Sequence, residues 1–257
     1  MKKLWLRWIA LALFVIVLAA TFVRLGEWQL HRLEWRKETN AQVVANSAKA
    51  IRPYQAVFDQ TPVTDDEQWQ RVTATGTFDG DNQFLAMFRN RSDDSGSEVI
   101  TPLKTDRGEY LLVDRGFIKR DRGTQENIAI PAAPTGTVTV TGYVRRSENG
   151  KASNITVVDN RMRLVNSSEI AKVLPYPVLD GYLGAIEVSG QSAELLPMVT
   201  PELGEGPHLS YAIQWFCFTA IAVAGMVVLI RGDMRDRKKM KQQAATQLEG
   251  DVDGSRA

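Results

Sequence analysis

The chain has 257 residues, of which 44% are hydrophobic and 24% are charged, and its formal net charge at pH 7 is only +1. These values are typical of a folded protein with one or two domains, and they argue against a nucleic-acid-binding protein, which usually carries a strongly basic domain or stripe. The single cysteine, Cys217, excludes a disulfide within the chain, so cysteine usage does not indicate a redox compartment.

The first predicted element is an apolar helix over residues 4–23, in which Arg7 is the only charged residue. A helix of this length spans about 30 Å, which is the thickness of the hydrocarbon core of a bilayer. A cleavable signal peptide is the alternative. Its apolar run is usually about 7 to 15 residues, however, and no A-x-A-like cleavage site precedes Arg24. We therefore predict a transmembrane helix.

Residues 24–208 are predicted to form a domain made mostly of β-strands. Short runs rich in Val, Thr, Ile and aromatic residues are separated by turn signals such as Asp79-Gly80 and Asn149-Gly150. One helix, residues 168–174 with Ser167 as its N-cap, interrupts the series. Strands this short and closely spaced favour an antiparallel sheet or a small barrel. The predicted strands are residues 71–78, 83–88, 97–103, 109–118, 137–145, 155–159 and 183–189.

A second apolar helix is predicted over residues 209–230, which contain no charged side chain. Residues 173–230 contain no lysine or arginine, whereas a basic cluster follows directly. By the positive-inside bias the second helix ends in the cytoplasm, and residues 231–257 are predicted to be a basic cytoplasmic tail that is disordered from residue 242. The cluster consists of Arg231, Arg235, Arg237, Lys238, Lys239 and Lys241.

The predicted architecture is therefore two transmembrane helices flanking a mainly antiparallel β (α+β) domain that lies outside the cytoplasm. Two spans require both termini on one side of the membrane, and the basic tail places that side in the cytoplasm. No transit-like extension precedes Leu4, which favours the plasma membrane of a bacterium over a mitochondrial membrane.

The outer domain lacks the residues of common catalytic sites. Residues 32–207 contain no histidine and no cysteine, so a His-based triad, a catalytic thiol or an ordinary zinc site cannot be built there. Neighbouring carboxylates such as Asp93 and Asp94 lie in predicted loops, where a solvated turn explains them. Nor does the chain show the Cys-x-x-x-Cys motif or outer Met and His cluster of a copper carrier. We predict that the protein is not an enzyme.

Both histidines lie beside the predicted membrane helices. His31 follows the first helix by eight residues, and His208 immediately precedes the second. On a continuous helix His208, Tyr211 and Trp215 would share one face, at i, i+3 and i+7. Two interpretations stay open: a ligand site lined by aromatic rings, or an interfacial aromatic belt with a histidine that only caps a helix or meets water.

Six motifs, in order and with matching spacing, resemble the surfeit locus one family, which assists the assembly of haem-copper cytochrome oxidases. The two flanking helices agree with the family plan as well. Each motif is weak alone, but the series covers nearly the whole chain. The motifs are LGEWQLHRLEWRK (residues 25–37), RVTATGTF (71–78), VITPLKT (99–105), LLVDRGFI (111–118), VTGYVRRSE (140–148) and GPHLSYAIQWF (206–216).

The resemblance implies a non-enzymatic assembly factor that holds or delivers haem a to the oxidase catalytic subunit. The expected partners are the oxidase catalytic subunit, a haem a synthase and the lipid bilayer. Nucleic acid is not an expected partner. Two alternatives stay open: a cofactor-free membrane scaffold that binds oxidase subunits, and an extracytoplasmic sensor that signals through a separate transmitter.

The resemblance also assigns site residues. His208 corresponds to the family's histidine at the entrance of the second helix, which has been linked to haem a binding in bacterial members, so it is the expected metal ligand. Neutral imidazole is a good axial ligand of haem iron. Tyr211 and Trp215 are expected to pack against the macrocycle, and Arg115 is one of the cations expected to pair with the propionates. The alternative for Arg115 is a strand residue that orders its own turn.

Overall fold

The computed structural model describes residues 2–59, 62–119 and 129–254. The chain divides into two compact units, a helical unit (Met1–Thr39 with Gly204–Ala257) and a β unit (Asn40–Leu203). The elements in chain order are α1 (Lys2–Ser47), β1 (Arg52–Pro53), 3-10 turns at Tyr54–Ala56 and Asp65–Glu67, β2 (Arg71–Phe78), β3 (Phe84–Arg91), β4 (Asp94–Thr105), β5 (Tyr110–Lys119), β6 (Val138–Arg145), α2 (Ala152–Ile155), β7 (Arg161–Met162), α3 (Ser167–Ala171), β8 (Tyr182–Val188) and α4 (His208–Gly254).

The helical unit contains two helices that are long and apolar enough to cross a membrane by length and composition. Their apolar spans are Trp5–Ser47 and His208–Met240, and only 11% and 0% of the respective apolar windows are buried inside the structure. Neither stretch is therefore the core helix of a globular unit, which would be mostly buried.

Both long helices continue far beyond their predicted apolar runs. The chain was predicted to be disordered from residue 242 onward. In the structure α4 continues to Gly254, which differs from this prediction. Residues 255–257 lie outside the described residues. The stretch after residue 230 is rich in Lys, Arg, Gln, Ala and Met. These residues have high helix propensity, which allows a helix to continue without an apolar face.

The β unit is built around a closed ring of five strands. Its members follow the order β2-β6-β8-β5-β4, and the antiparallel pairing of β2 with β4 closes the ring. Buried side chains from all five strands fill its interior, among them Val72, Leu103, Val113, Val140 and Leu183. Of the two predicted forms, an antiparallel sheet or a small barrel, the closed ring corresponds to the barrel.

Two burial patterns follow from this arrangement. In β2 every second residue from Val72 to Phe78 is buried, as the alternation in the sequence predicts. Residues Leu111–Phe117 of β5 are all buried. The outer face of that strand is covered by a second core that includes Leu112, Ile170 and Tyr182, so both faces exclude water.

The sheet is mixed, which corrects the prediction of a mainly antiparallel one. Three pairings are parallel: β1 with β2, β3 with β7, and β5 with β8. The other pairings are antiparallel. Periodicity reports which face of a strand is buried, but it carries no information about the direction of the neighbouring strand. The sequence pattern therefore did not distinguish parallel from antiparallel pairing.

Two local predictions were wrong. Residues 155–159 are not a strand, because α2 ends at Ile155 and a tight turn with positive φ at Asp159 and Asn160 follows it. The strand that pairs with β3 begins only at Arg161. The short helix α3 is capped by Asn166, whose Oδ1 accepts a hydrogen bond from the Glu169 backbone N–H at 3.1 Å, and Ser167 is its first residue.

Candidate functional site

The candidate site begins at the first turn of α4. Gly206 adopts a φ of +72°, a conformation that L side chains rarely adopt. The carbonyl of Pro207 accepts hydrogen bonds from the Tyr211 backbone N–H at 3.1 Å and from the Ser210 Oγ at 3.0 Å. This turn fixes His208 as the first helical residue.

The His208 imidazole is held by a side chain from α1. Its Nδ1 lies 2.8 Å from Oε1 of Gln29, and both residues are half-buried. An amide oxygen only accepts hydrogen bonds, so Nδ1 carries the proton in this pair. In the neutral ring the lone pair is then on Nε2, and this atom is the one available to a metal.

The three residues predicted to share one face of the second helix have different surroundings. Trp215 is half-buried and packs against Phe22 of α1, with ring centroids 5.5 Å apart, and against Phe218 at 5.9 Å. Tyr211 is 47% exposed. Trp215 therefore contributes to the packing of the two helices, whereas the ring of Tyr211 is accessible for a flat ligand. Contact of either ring with haem stays a prediction.

The two helices approach closely at Gly26. A Cβ atom placed on this buried residue would lie 2.7 Å from the Phe216 ring, so no larger side chain fits unless the ring moves. The close approach brings the α1 face that carries Gly26 and Gln29 against the start of α4. Neither residue was assigned a site role from the sequence. Their i, i+3 spacing, which places them on one helix face, is the signal that could have identified them.

His31, the other histidine, is exposed on α1. Nearby cations of the same helix are exposed as well. Arg32 stacks over the Trp35 ring at 4.8 Å, and Arg24 Nη1 lies 3.4 Å from Oε2 of Glu27. Within the described residues no group of three or more His, Cys, Asp or Glu side chains could hold a metal ion. A metal-ligand role for His208 stays a prediction.

Arg115 lies in the β unit and is only 1% exposed. Its guanidinium donates to Oε1 of Gln83 at 2.5 Å, to Oε1 of Gln191 at 3.2 Å, and to the carbonyls of Pro131 and Ala132 at 3.1 and 2.9 Å. Burial lowers the pKa of this guanidinium to about 10. The contacts indicate a structural role for Arg115, but its partners lie in other segments and not in its own turn, which the sequence alternative had named. A propionate contact stays a prediction.

Comparison with known proteins agrees with the sequence motifs. The model of the SURF1 family matches residues 16–220. An uncharacterized SURF1-like protein of Mycobacterium tuberculosis H37Rv is 33% identical over 91% of this chain and 87% of that protein. A SURF1-like protein of Rickettsia bellii is 27% identical over 82% of this chain and 87% of its own length. Mouse Surfeit locus protein 1 is 28% identical over 54% of this chain and 49% of the mouse protein. The chain therefore belongs to the SURF1 family, whose members are known generally as cytochrome oxidase assembly factors.

Proposed function

We propose that this protein is a membrane-anchored assembly factor that holds haem a through His208 while the catalytic subunit of a haem-copper oxidase is loaded. The hydrogen bond from His208 Nδ1 to Gln29 Oε1 carries the proposal. Histidines that ligate metals usually donate their other ring N–H to an acceptor, which orients the ring and raises its basicity. Gln29 would supply this partner, and Nε2 would face the iron.

The surroundings of His208 suit a flat, apolar group with acidic side arms. Tyr211 is exposed three residues after His208, on the same helix face, and offers an aromatic ring for a macrocycle. Arg24 and Arg32 are exposed on α1 and could pair with propionates. Haem a, when bound, would supply the iron that accepts the Nε2 lone pair. The residues of the chain bind and orient this group.

A single histidine ligand also suits a carrier. One axial bond without further protein ligands is weaker than the pair of axial ligands in electron-transfer haem proteins. A group bound in this way can be passed to a site that offers more ligands. The protein would hold its cargo without making or breaking a covalent bond, which is consistent with the assembly function of its family.

Membrane anchoring is supported by the two apolar helices, whose apolar windows are almost entirely unburied. The basic residues after residue 230 favour a cytoplasmic end for α4. His208 would then lie at the outer surface of the membrane, in a bacterial plasma membrane. Reporter fusions after residue 240 should be active only inside the cell, and fusions near residue 200 only outside. The reverse pattern would contradict this topology.

The haem proposal is tested by purifying the full chain in detergent from cells that synthesise haem a. The wild-type protein should show a haem absorption band, and His208→Ala should lose most of it. His31→Ala is the matched control, because it removes an exposed imidazole from the same unit and should keep the band. Equal haem content in all three proteins would remove the ligand role and favour the cofactor-free scaffold.

A further inference from the structure

The β unit contains a cavity of about 650 Å³ that the proposed function does not use. Its wall is formed by residues of the barrel strands and by the segment that follows β8. Polar and charged side chains from four neighbouring strands line it. They include Glu98 of β4, Asp114 of β5, Arg145 of β6 and Tyr182 of β8.

Arg145 has unused hydrogen-bonding capacity at this cavity. Its guanidinium lies 4.0 Å from the centroid of the Trp69 ring. Its Nε and Nη1 atoms are buried, and neither has a hydrogen-bond partner among the residues that the structure describes. A buried donor without an acceptor costs free energy. A ligand that brings an anionic oxygen would therefore gain more here than at an exposed arginine.

The nearby glutamates are already engaged by another arginine. Arg89 Nε lies 2.8 Å from Oε2 of Glu98, and its Nη2 lies 2.6 Å from Oε2 of Glu148. Glu148 Oε2 also accepts the backbone N–H of Val165 at 2.7 Å. Because both carboxylates pair with Arg89, neither is an exclusive partner of Arg145.

Asp114 adds a potential donor to the same cavity. It is 1% exposed, and its Oδ1 accepts the Gly116 backbone N–H at 3.0 Å. Burial, followed by the negative charge of Glu98, raises the pKa of the Asp114 carboxyl well above its ordinary value. The neutral form of such a group donates a hydrogen bond instead of repelling an anion. The apolar residues Leu196, Met198 and Val199 also line the cavity.

We propose that this cavity binds a small organic monocarboxylate with an apolar body, whose carboxylate accepts hydrogen bonds from Arg145 and whose body packs against Leu196 and Met198. A single negative charge suits the site better than the double charge of a phosphate ester. Glu98, Glu148 and Glu202 also line the cavity, and their negative charges would repel a dianion more strongly.

The test uses the full chain, labelled with ¹⁵N-tryptophan and held in lipid nanodiscs. The chain has six tryptophans, so Trp69→Phe assigns the indole signal that reports on Arg145. Benzoate is the probe, benzyl alcohol is its neutral analogue, and phenyl phosphate is its dianionic analogue. The Trp69 signal should shift saturably with benzoate and with neither analogue. The cavity residues belong to the β unit and His208 to the helical unit. A negative result for benzoate binding would therefore leave the haem proposal intact.

Arg145→Gln should weaken benzoate binding by roughly tenfold or more, because charge-assisted hydrogen bonds are lost. Arg146→Gln is the matched control. This substitution removes one positive charge from the next residue in the chain, whose Nη1 pairs with Oδ2 of Asp65 at 3.1 Å. The Arg146→Gln protein should bind benzoate as the wild type does. The other five tryptophans lie in the helical unit, so folding of the β unit in Arg145→Gln is checked by the thermal midpoint, followed by circular dichroism. Arg145→Lys, which retains the cation, should show intermediate binding.

Three outcomes would overturn the proposal. The first is the absence of any saturable benzoate shift in the wild-type protein. The second is unchanged benzoate binding by a folded Arg145→Gln. The third is an equal response to benzyl alcohol or phenyl phosphate, which would show that the cavity does not select a monocarboxylate.

Discussion

His208 Nδ1 and Gln29 Oε1 lie 2.8 Å apart, so the first residue of α4 is hydrogen-bonded to a residue in α1 that lies 179 positions earlier in the chain. Phe22 and Trp215 pack against each other further along the same pair of helices. The imidazole orientation is thus set by helix packing and does not depend on the first turn of α4 alone. A change at Gln29 should therefore alter haem binding while the imidazole itself is retained.

Gln29→Ala should weaken haem a binding by about 10- to 100-fold, because loss of an outer hydrogen-bond partner of a metal-ligating histidine typically has this effect. Gln29→Glu retains an acceptor oxygen and should bind at least as well as the wild type. Titration of the purified full chain with haem a, followed by its absorption band, measures both affinities. Equal affinity of the wild type and Gln29→Ala would show that this bond does not support ligation.

Gly26→Leu should separate α1 from α4, because even a Cβ atom at this position would meet the Phe216 ring at 2.7 Å. Overpacking of this kind costs about 1–3 kcal/mol. The thermal midpoint in detergent, followed by circular dichroism, should fall. The double variant with Phe216→Ala should recover much of the loss, because the ring that causes the clash is removed. A double variant no more stable than Gly26→Leu would argue against the close contact.

Arg115→Met should destabilise the β unit by about 3 kcal/mol, because it leaves several buried acceptors without a donor. These acceptors are the side-chain oxygens of Gln83 and Gln191 and two backbone carbonyls. Arg146→Met, at a half-exposed position, should change the thermal midpoint little. The same preparation tests the propionate prediction: loss of haem from folded Arg115→Met protein would support it, whereas an unchanged haem band would leave Arg115 with a structural role only.

Asp114→Asn should reduce the pH dependence of stability. The pKa of Asp114 is raised in the folded protein, first by burial and then by the charge of Glu98. The unfolded chain therefore ionises this group first, and the free energy of unfolding falls as pH rises above the ordinary pKa of 3.8 toward the folded one. Asparagine cannot ionise, and its Oδ1 can still accept the Gly116 N–H.

The thermal midpoint of the wild-type protein should thus fall more than that of Asp114→Asn between roughly pH 4 and pH 7. Burial also raises the pKa of Glu98, so some pH dependence should persist in the variant. Identical pH profiles for the two proteins would show that Asp114 does not keep its proton in the folded state.

Several features of this protein followed from local sequence patterns. The apolar runs 4–23 and 209–230 predicted helices, and the strand β2 was predicted with the bounds that the structure shows, Arg71–Phe78. Both signals are local, because an apolar run or a period of two residues depends only on neighbouring positions. The scarcity of histidine likewise drew attention to His31 and His208, and the family resemblance then favoured His208.

Tertiary structure decided which side chains meet. The parallel pairing of β5 with β8 and the closure of the barrel by β2 and β4 join distant segments. The contact of Gln29 with His208 and the four hydrogen-bond acceptors around Arg115 likewise depend on packing between segments that lie far apart in the sequence. A residue pattern reports the burial of a segment but not the identity of its neighbours. The contacts that define both proposed sites therefore exist only where folding brings distant segments together.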